Sequence, residues 1–134
     1  MIWSFKIKRD VTCKMKKKFS IKERLKSFTF AFAGLKLLLL EEHNAFLHVA
    51  ATFLVVALGF YFRLNQTEWI AIIMCIGAVF SLELVNTSIE TLADHITPEK
   101  HDKIKKVKDL AAGAVLVAAM MAVVVALLIF IPKL

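Results

Sequence analysis

Apolar residues dominate three stretches of the chain, 45–62, 69–92 and 110–131, and short polar segments separate them. A helix rises about 1.5 Å per residue, so each stretch is long enough to cross the ~30 Å hydrocarbon core of a bilayer. The first is interrupted by His48 near its start and carries Tyr61 at its end, an interfacial aromatic; the second opens on Trp69, an interfacial anchor. Residues 63–68 form a polar connection suited to an antiparallel helix pair, and Thr97-Pro98 closes the second stretch, because proline disfavours helix in the residue before it. Residues 99–109 read as a charged loop. The third stretch is rich in Ala, Val and Leu, and Gly113 with several alanines offers a close-packing surface.

Ahead of these spans, Ser20-Ile21-Lys22-Glu23 has the S-x-x-E form of a capping box and predicts a helix start. Beyond it Lys22, Lys26, Thr29, the small Ala33 and Lys36 recur at helical spacing. Phe28, Phe32, Leu35 and Leu39 occupy the other side, widened by Phe30 and Leu37. This pattern predicts an amphipathic helix over 20–42 lying in the membrane interface. Lys36 and an apolar run of only about 13 residues argue against a fourth span. Glu41-Glu42-His43-Asn44 then reads as a hydrated junction. The expected architecture is an all-α membrane protein: a basic tail at 1–19, then one domain over 20–134 with a surface helix and three transmembrane helices.

Composition agrees. Hydrophobic residues make up 59% of the 134 and mean hydropathy is +0.69, above the apolar share of ordinary soluble domains. The net charge of +7 is uneven: from Met1 to Lys26 there are ten Lys/Arg against two acids. Beside membrane segments such a block points to anionic lipid headgroups and not to nucleic acid. Cys13 and Cys75 have no ligand or disulfide-framework spacing, so two free thiols are expected. The N-terminus has no apolar core followed by a small-residue cleavage site, so no removable signal peptide is expected. Lysines concentrate in the tail and in 99–109, while 63–68 holds one Arg; the positive-inside rule then places the N-terminus in the cytoplasm and the C-terminus outside.

One segment of the second span breaks the apolar rule. Glu83, Asn86, Thr87, Glu90 and Asp94 fall within roughly 100° of one another on a helix, opposite Leu84, Val85, Ile89 and Leu92. Carboxylates at membrane depth are costly and persist where they line a bundle interior, a wet cavity or a site. In the predicted topology Glu42, His48, Glu90, Asp94, Lys108 and Asp109 meet at the cytoplasmic ends of three helices, with Glu83 about 10 Å deeper than Glu90. Acids that hold Mg²⁺, a lysine that offsets phosphate charge and a carboxylate base at acyl-chain depth suit phosphoryl transfer to a lipid hydroxyl. The pattern alone leaves open ion or proton movement through a small oligomeric transporter or channel, and a purely structural role in holding copies together. Neither a P-loop nor a kinase-type glycine loop is present. His43 and His95 read as interfacial polar residues, and Met74, Met120 and Met121 as packing.

The run Glu83-Leu84-Val85-Asn86-Thr87-Ser88-Ile89-Glu90, followed by Asp94, resembles the signature of the prokaryotic diacylglycerol kinase family, which includes the undecaprenol kinases. Three further stretches agree in order: Ser27-Phe28-Thr29-Phe30-Ala31-Phe32-Ala33-Gly34-Leu35, Glu42-x-Asn44-x-x-x-His48, and Lys108-Asp109-Leu110-Ala111-Ala112-Gly113-Ala114-Val115. The resemblance runs from about residue 22 to 134. It implies a homotrimer in the bacterial cytoplasmic membrane whose active sites combine helices of neighbouring protomers, with ATP as co-substrate and Mg²⁺ as cofactor. It implies that Glu83 is the general base and that Glu42 and Glu90 hold Mg²⁺ with the ATP phosphates. Nucleotide would meet Glu99, His101, Lys108 and Asp109, with Phe30 and Arg24; Glu23 stands where many members carry a nucleotide-contacting arginine. The lipid would meet Asn86, His48 and Ala112. Ala112 replaces a serine found in some diacylglycerol-using members, and with Asn44 and His48 it favours undecaprenol over diacylglycerol as acceptor.

Overall fold

The computed structural model describes residues 20–96 and 101–134. The predicted tail at 1–19 with Cys13, and Glu99 with the rest of 97–100, lie outside the described residues. Four helices follow in order: α1 (Ile21–Glu41), α2 (His43–Tyr61), α3 (Gln66–Ile96) and α4 (Asp102–Phe130), closed by a 3-10 turn at Ile131–Lys133. Of these, α2, α3 and α4 are long and apolar enough to cross a membrane.

Local chemistry sets the boundaries. The Ser20 hydroxyl accepts from the Glu23 N–H at 3.4 Å, capping α1 as the sequence predicts. Helix α1 ends at Glu42, whose extended backbone (φ −100, ψ 116) both terminates α1 and begins α2. At the far end of α2, the Leu64 N–H reaches the Gly59 carbonyl at 3.0 Å and the Arg63 N–H reaches Phe60 at 3.3 Å. This is a Schellman cap with Arg63 in the left-handed region (φ 52), where glycine is usual. Buried Leu64 then packs over the corner. Gly59 is needed for another reason: a Cβ there would lie 2.8 Å from Cη2 of Trp69 and 3.2 Å from Cδ1 of Leu64.

Helix α3 starts three residues earlier than the apolar pattern indicated. Asn65 and Glu68 form a reciprocal capping box: the Glu68 N–H donates to Asn65 Oδ1 at 3.0 Å, and the Asn65 N–H to Glu68 Oε2 at 2.8 Å. The charged segment before the third span is also corrected. From Asp102 on it is helix and not loop, because His101 Nδ1 accepts from the Lys103 N–H at 3.2 Å and caps α4. Lys105 and Asp109 then pair at i, i+4 spacing at 2.8 Å.

The main interface is α3 against α4, with α1 and α2 packed more lightly on α3. Buried positions on α3 fall at Ile72, Val79, Asn86 and Ala93, a seven-residue repeat, with Glu83 beside it. A repeat of seven keeps one seam of a helix facing its partners. Two members of the buried set are polar, so the chemistry sits in core positions. On α1 the buried contact is Leu38 and at the start of α2 it is Ala45; neither belongs to the apolar side read for 20–42. Gly113 has nothing within 4 Å of a built Cβ, so among the described residues no close helix contact is made at that position. The end of the bundle holding Phe62, Trp69 and Phe130 is tied by the Glu68–Lys133 ion pair at 2.9 Å and by ring contacts Phe60–Trp69 and Phe62–Phe130.

Candidate active site

The opposite end of the bundle gathers the start of α2, about the last four turns of α3 and the start of α4. Glu83 is buried, 3% exposed, and its Oε1 lies 2.9 Å from His48 Nε2 of α2. One turn on, Asn86 Nδ2 donates to Glu90 Oε1 at 3.1 Å. Asn86 is itself buried, and its Oδ1, like Thr87 Oγ1, has no hydrogen-bond partner among the described residues. An orphaned buried acceptor beside a carboxylate is costly and marks where a further polar group fits. Beyond them Asp94 receives Lys108 of α4 through both oxygens, at 2.9 and 3.1 Å.

The depth of each group follows from the length of α3, 31 residues or about 46 Å against a ~30 Å hydrocarbon core. Measured from Gln66, Glu83 lies about 25 Å along the axis and Glu90 about 36 Å. Glu83 therefore lies about 10 Å farther than Glu90 from the charged end of α3, and Asp94 lies nearest that end. The arrangement grades from a buried carboxylate paired to an imidazole, through an amide–carboxylate pair, to a half-exposed cation.

The structure brings Glu83, Asn86, Glu90, His48 and Lys108 to one end, as the sequence predicts. It separates Lys108 from Asp109: the first reaches across to α3, the second stays on its own helix with Lys105. His101 spends Nδ1 on the α4 cap and keeps Nε2. Glu42 is half-buried at the α1–α2 corner, while Phe30 on α1, Ala112 on α4 and Arg24 on α1 are exposed. Sequence reasoning did not pair His48 with Glu83 in particular, nor Lys108 with Asp94. No spacing rule links residues on different helices, so neither pair had a local signal.

Among the described residues, no group of three or more His, Cys, Asp and Glu gathers as a metal site. Mg²⁺ does not require one: it is commonly held by one or two carboxylates together with substrate phosphates. The Glu90 carboxylate and the neighbouring Asn86 Oδ1 supply oxygen only, and donors of that kind fit the ion.

A bundle with three membrane-length helices and acids, an imidazole and an ammonium at one end defines a helical membrane protein whose polar groups cluster there. Comparison with known proteins gives the family. The model of the prokaryotic diacylglycerol kinase family matches residues 29–130. The chain is 45% identical over 109 residues to the undecaprenol kinase of Bacillus subtilis strain 168, covering 81% of this chain and 89% of that one. It is 31% identical over 111 residues to a diacylglycerol kinase of Synechocystis, covering 82% of this chain and 63% of the relative, so it spans under two thirds of that protein. A diacylglycerol kinase of Haemophilus influenzae is 30% identical over 95 residues, 70% of this chain and 80% of the relative. The chain belongs to the prokaryotic diacylglycerol kinase family and is a lipid kinase.

Proposed function

We propose that this kinase transfers the γ-phosphoryl group of ATP to the hydroxyl of undecaprenol, giving undecaprenyl phosphate. The observation that carries the reading is the gradation along α3: a buried carboxylate, Glu83, and a second one, Glu90, seven residues nearer the charged end of the helix. Glu83 takes the hydroxyl proton as the lipid oxygen bonds to the γ-phosphorus and the bond to ADP breaks. Glu42 and Glu90 would hold Mg²⁺, which neutralises charge on the phosphate oxygens when bound. Asn86 orients Glu90 through their hydrogen bond and borders the acceptor with His48 and Ala112. Lys108, released from Asp94, meets phosphate; Asp109, His101, Glu99, Arg24 and Phe30 complete the nucleotide side.

The same reading makes α1 an amphipathic helix lying on the cytoplasmic surface, its lysines and the basic tail toward anionic headgroups. The active site faces the cytoplasm and the C-terminus lies outside. Large apolar side chains exposed on every helix call for lipid or partner protomers to cover them; the homotrimer with shared sites is what membership of the family implies. The acceptor choice rests on the 45% identity to an undecaprenol kinase. The diacylglycerol kinases at 31% and 30% supply a second reading, with phosphatidic acid as product. The transporter reading that the pattern left open gives way to the family assignment. Side-by-side phosphorylation of undecaprenol and diacylglycerol by the reconstituted protein, with ATP and Mg²⁺, tests the proposal. A faster rate on undecaprenol is expected, and preference for diacylglycerol overturns the acceptor assignment.

A further inference from the structure

We infer that His48 is a positioning residue that acts through Glu83: its Nε2–H fixes one carboxylate oxygen so that the other meets the acceptor hydroxyl. This rests on the reading of Glu83 as the base. The geometry is specific. Nε2 lies 2.9 Å from Oε1, with the carboxylate side chain 4% exposed and the imidazole 24% exposed. A carboxylate buried this far needs a donor, and the terminal torsion of glutamate is broad, so nothing intrinsic to the side chain aims its oxygens. The bond crosses from α2 to α3 and therefore also fixes how the two helices meet at this end.

The surroundings strengthen the bond. His48 lines a cavity of about 320 Å³ between α2, α3 and α4, whose walls include Val55, Ile76, Val79, Phe80 and Ala122. Glu83 itself is nearly out of solvent, and away from water a charge-assisted hydrogen bond gains strength and holds direction. Other charged groups at this end are otherwise placed. Lys108 of α4 is bound to Asp94, Lys105 to Asp109, and Glu42 sits at the α1–α2 corner. Among the described residues, the imidazole of His48 reaches the Glu83 carboxylate from another helix.

The test uses the full-length protein in lipid, with three substitutions at one position. Glutamine carries its amide nitrogen the same number of bonds from Cα as histidine carries Nε2; asparagine falls one bond short. His48→Ala is expected to lower kcat by about 10–100-fold, the scale of a misplaced reacting group, with KM for ATP within about threefold. His48→Gln is expected to return kcat to within about fivefold of wild type, and His48→Asn to stay near the alanine variant. Nucleotide binding by each variant reports that the fold is intact. Should the alanine variant misfold, the Gln-against-Asn comparison carries the test alone. The inference is overturned if His48→Ala keeps kcat within threefold, if its effect falls on the lipid KM with kcat unchanged, or if Asn rescues as well as Gln. Glu83→Gln separates the two layers: an inactive Glu83→Gln beside an unaffected His48→Ala sinks only this inference, whereas an active Glu83→Gln sinks the base assignment beneath it.

Discussion

Replacing Glu83 by glutamine removes one function from the site and little else. The side chain keeps its length and shape in a position only 3% exposed, so no cavity opens and no packing is lost. The new amide oxygen can still accept from His48 Nε2, whose present distance to Oε1 is 2.9 Å. What disappears is a group able to take a proton. Proton transfer by a positioned side chain is worth about 10²–10⁴-fold in rate, so kcat is expected to fall by at least about a hundredfold. Nucleotide affinity should change by less than about twofold, because Glu90 and Lys108 lie seven residues farther along α3 and on α4, about 10 Å nearer the water. Thermal stability should hold or rise slightly, since a buried charge is replaced by a neutral group with the same partner. The assay is initial-rate phosphorylation of a polyprenol in proteoliposomes, with ATP binding by calorimetry and thermal unfolding in the same detergent. A variant that retains more than about a tenth of wild-type kcat, with normal nucleotide binding, refutes the base assignment. One that loses nucleotide binding along with turnover refutes the separation of base and nucleotide site along α3.

Three further outcomes are expected. Gly59→Ala places a Cβ 2.8 Å from the Trp69 ring, and overpacking of this kind costs about 1–3 kcal/mol; unfolding in detergent should show it, and an unchanged melting temperature would contradict the close approach. Lys108→Ala removes the cation bound to both Asp94 oxygens and should raise the KM for ATP about tenfold or more, leaving the KM for lipid nearly unchanged. Lys133→Ala breaks the Glu68 pair at the far end of the bundle; kcat should move by less than about twofold, as expected for a pair remote from the chemistry, and a large loss of turnover would show that the two ends are coupled.

The order of helices was legible from sequence because hydrophobic run length and capping residues are local. Ser20 with Glu23 announced α1, and the three apolar runs announced α2, α3 and α4. The same rule missed Asn65–Glu68, a capping box as plain in sequence as the first, because the apolar pattern at Trp69 drew the boundary inward. It also assigned residues 102–109 to a loop, since charge there outweighed apolar period, although His101 and the Lys105–Asp109 spacing favour helix. Face was legible too: Glu83, Asn86 and Glu90 share one side of α3 whatever that helix packs against.

By itself, then, the sequence determined how many helices this lipid kinase has, which side of α3 is polar and how far apart Glu83 and Glu90 lie along it. These are properties of one helix, fixed by 3.6 residues per turn and a constant rise. Only the tertiary structure decided which groups answer that polar side. His48 is 35 positions from Glu83 and Lys108 is 14 from Asp94, and such pairings depend on the angles at which α2 and α4 cross α3. Those angles come from the packing of the whole interface, from the seam at Ile72, Val79, Asn86 and Ala93 to the corner closed by Gly59, Leu64 and Trp69. The buried acid is therefore a fact of sequence, and the imidazole that aims it is a fact of packing.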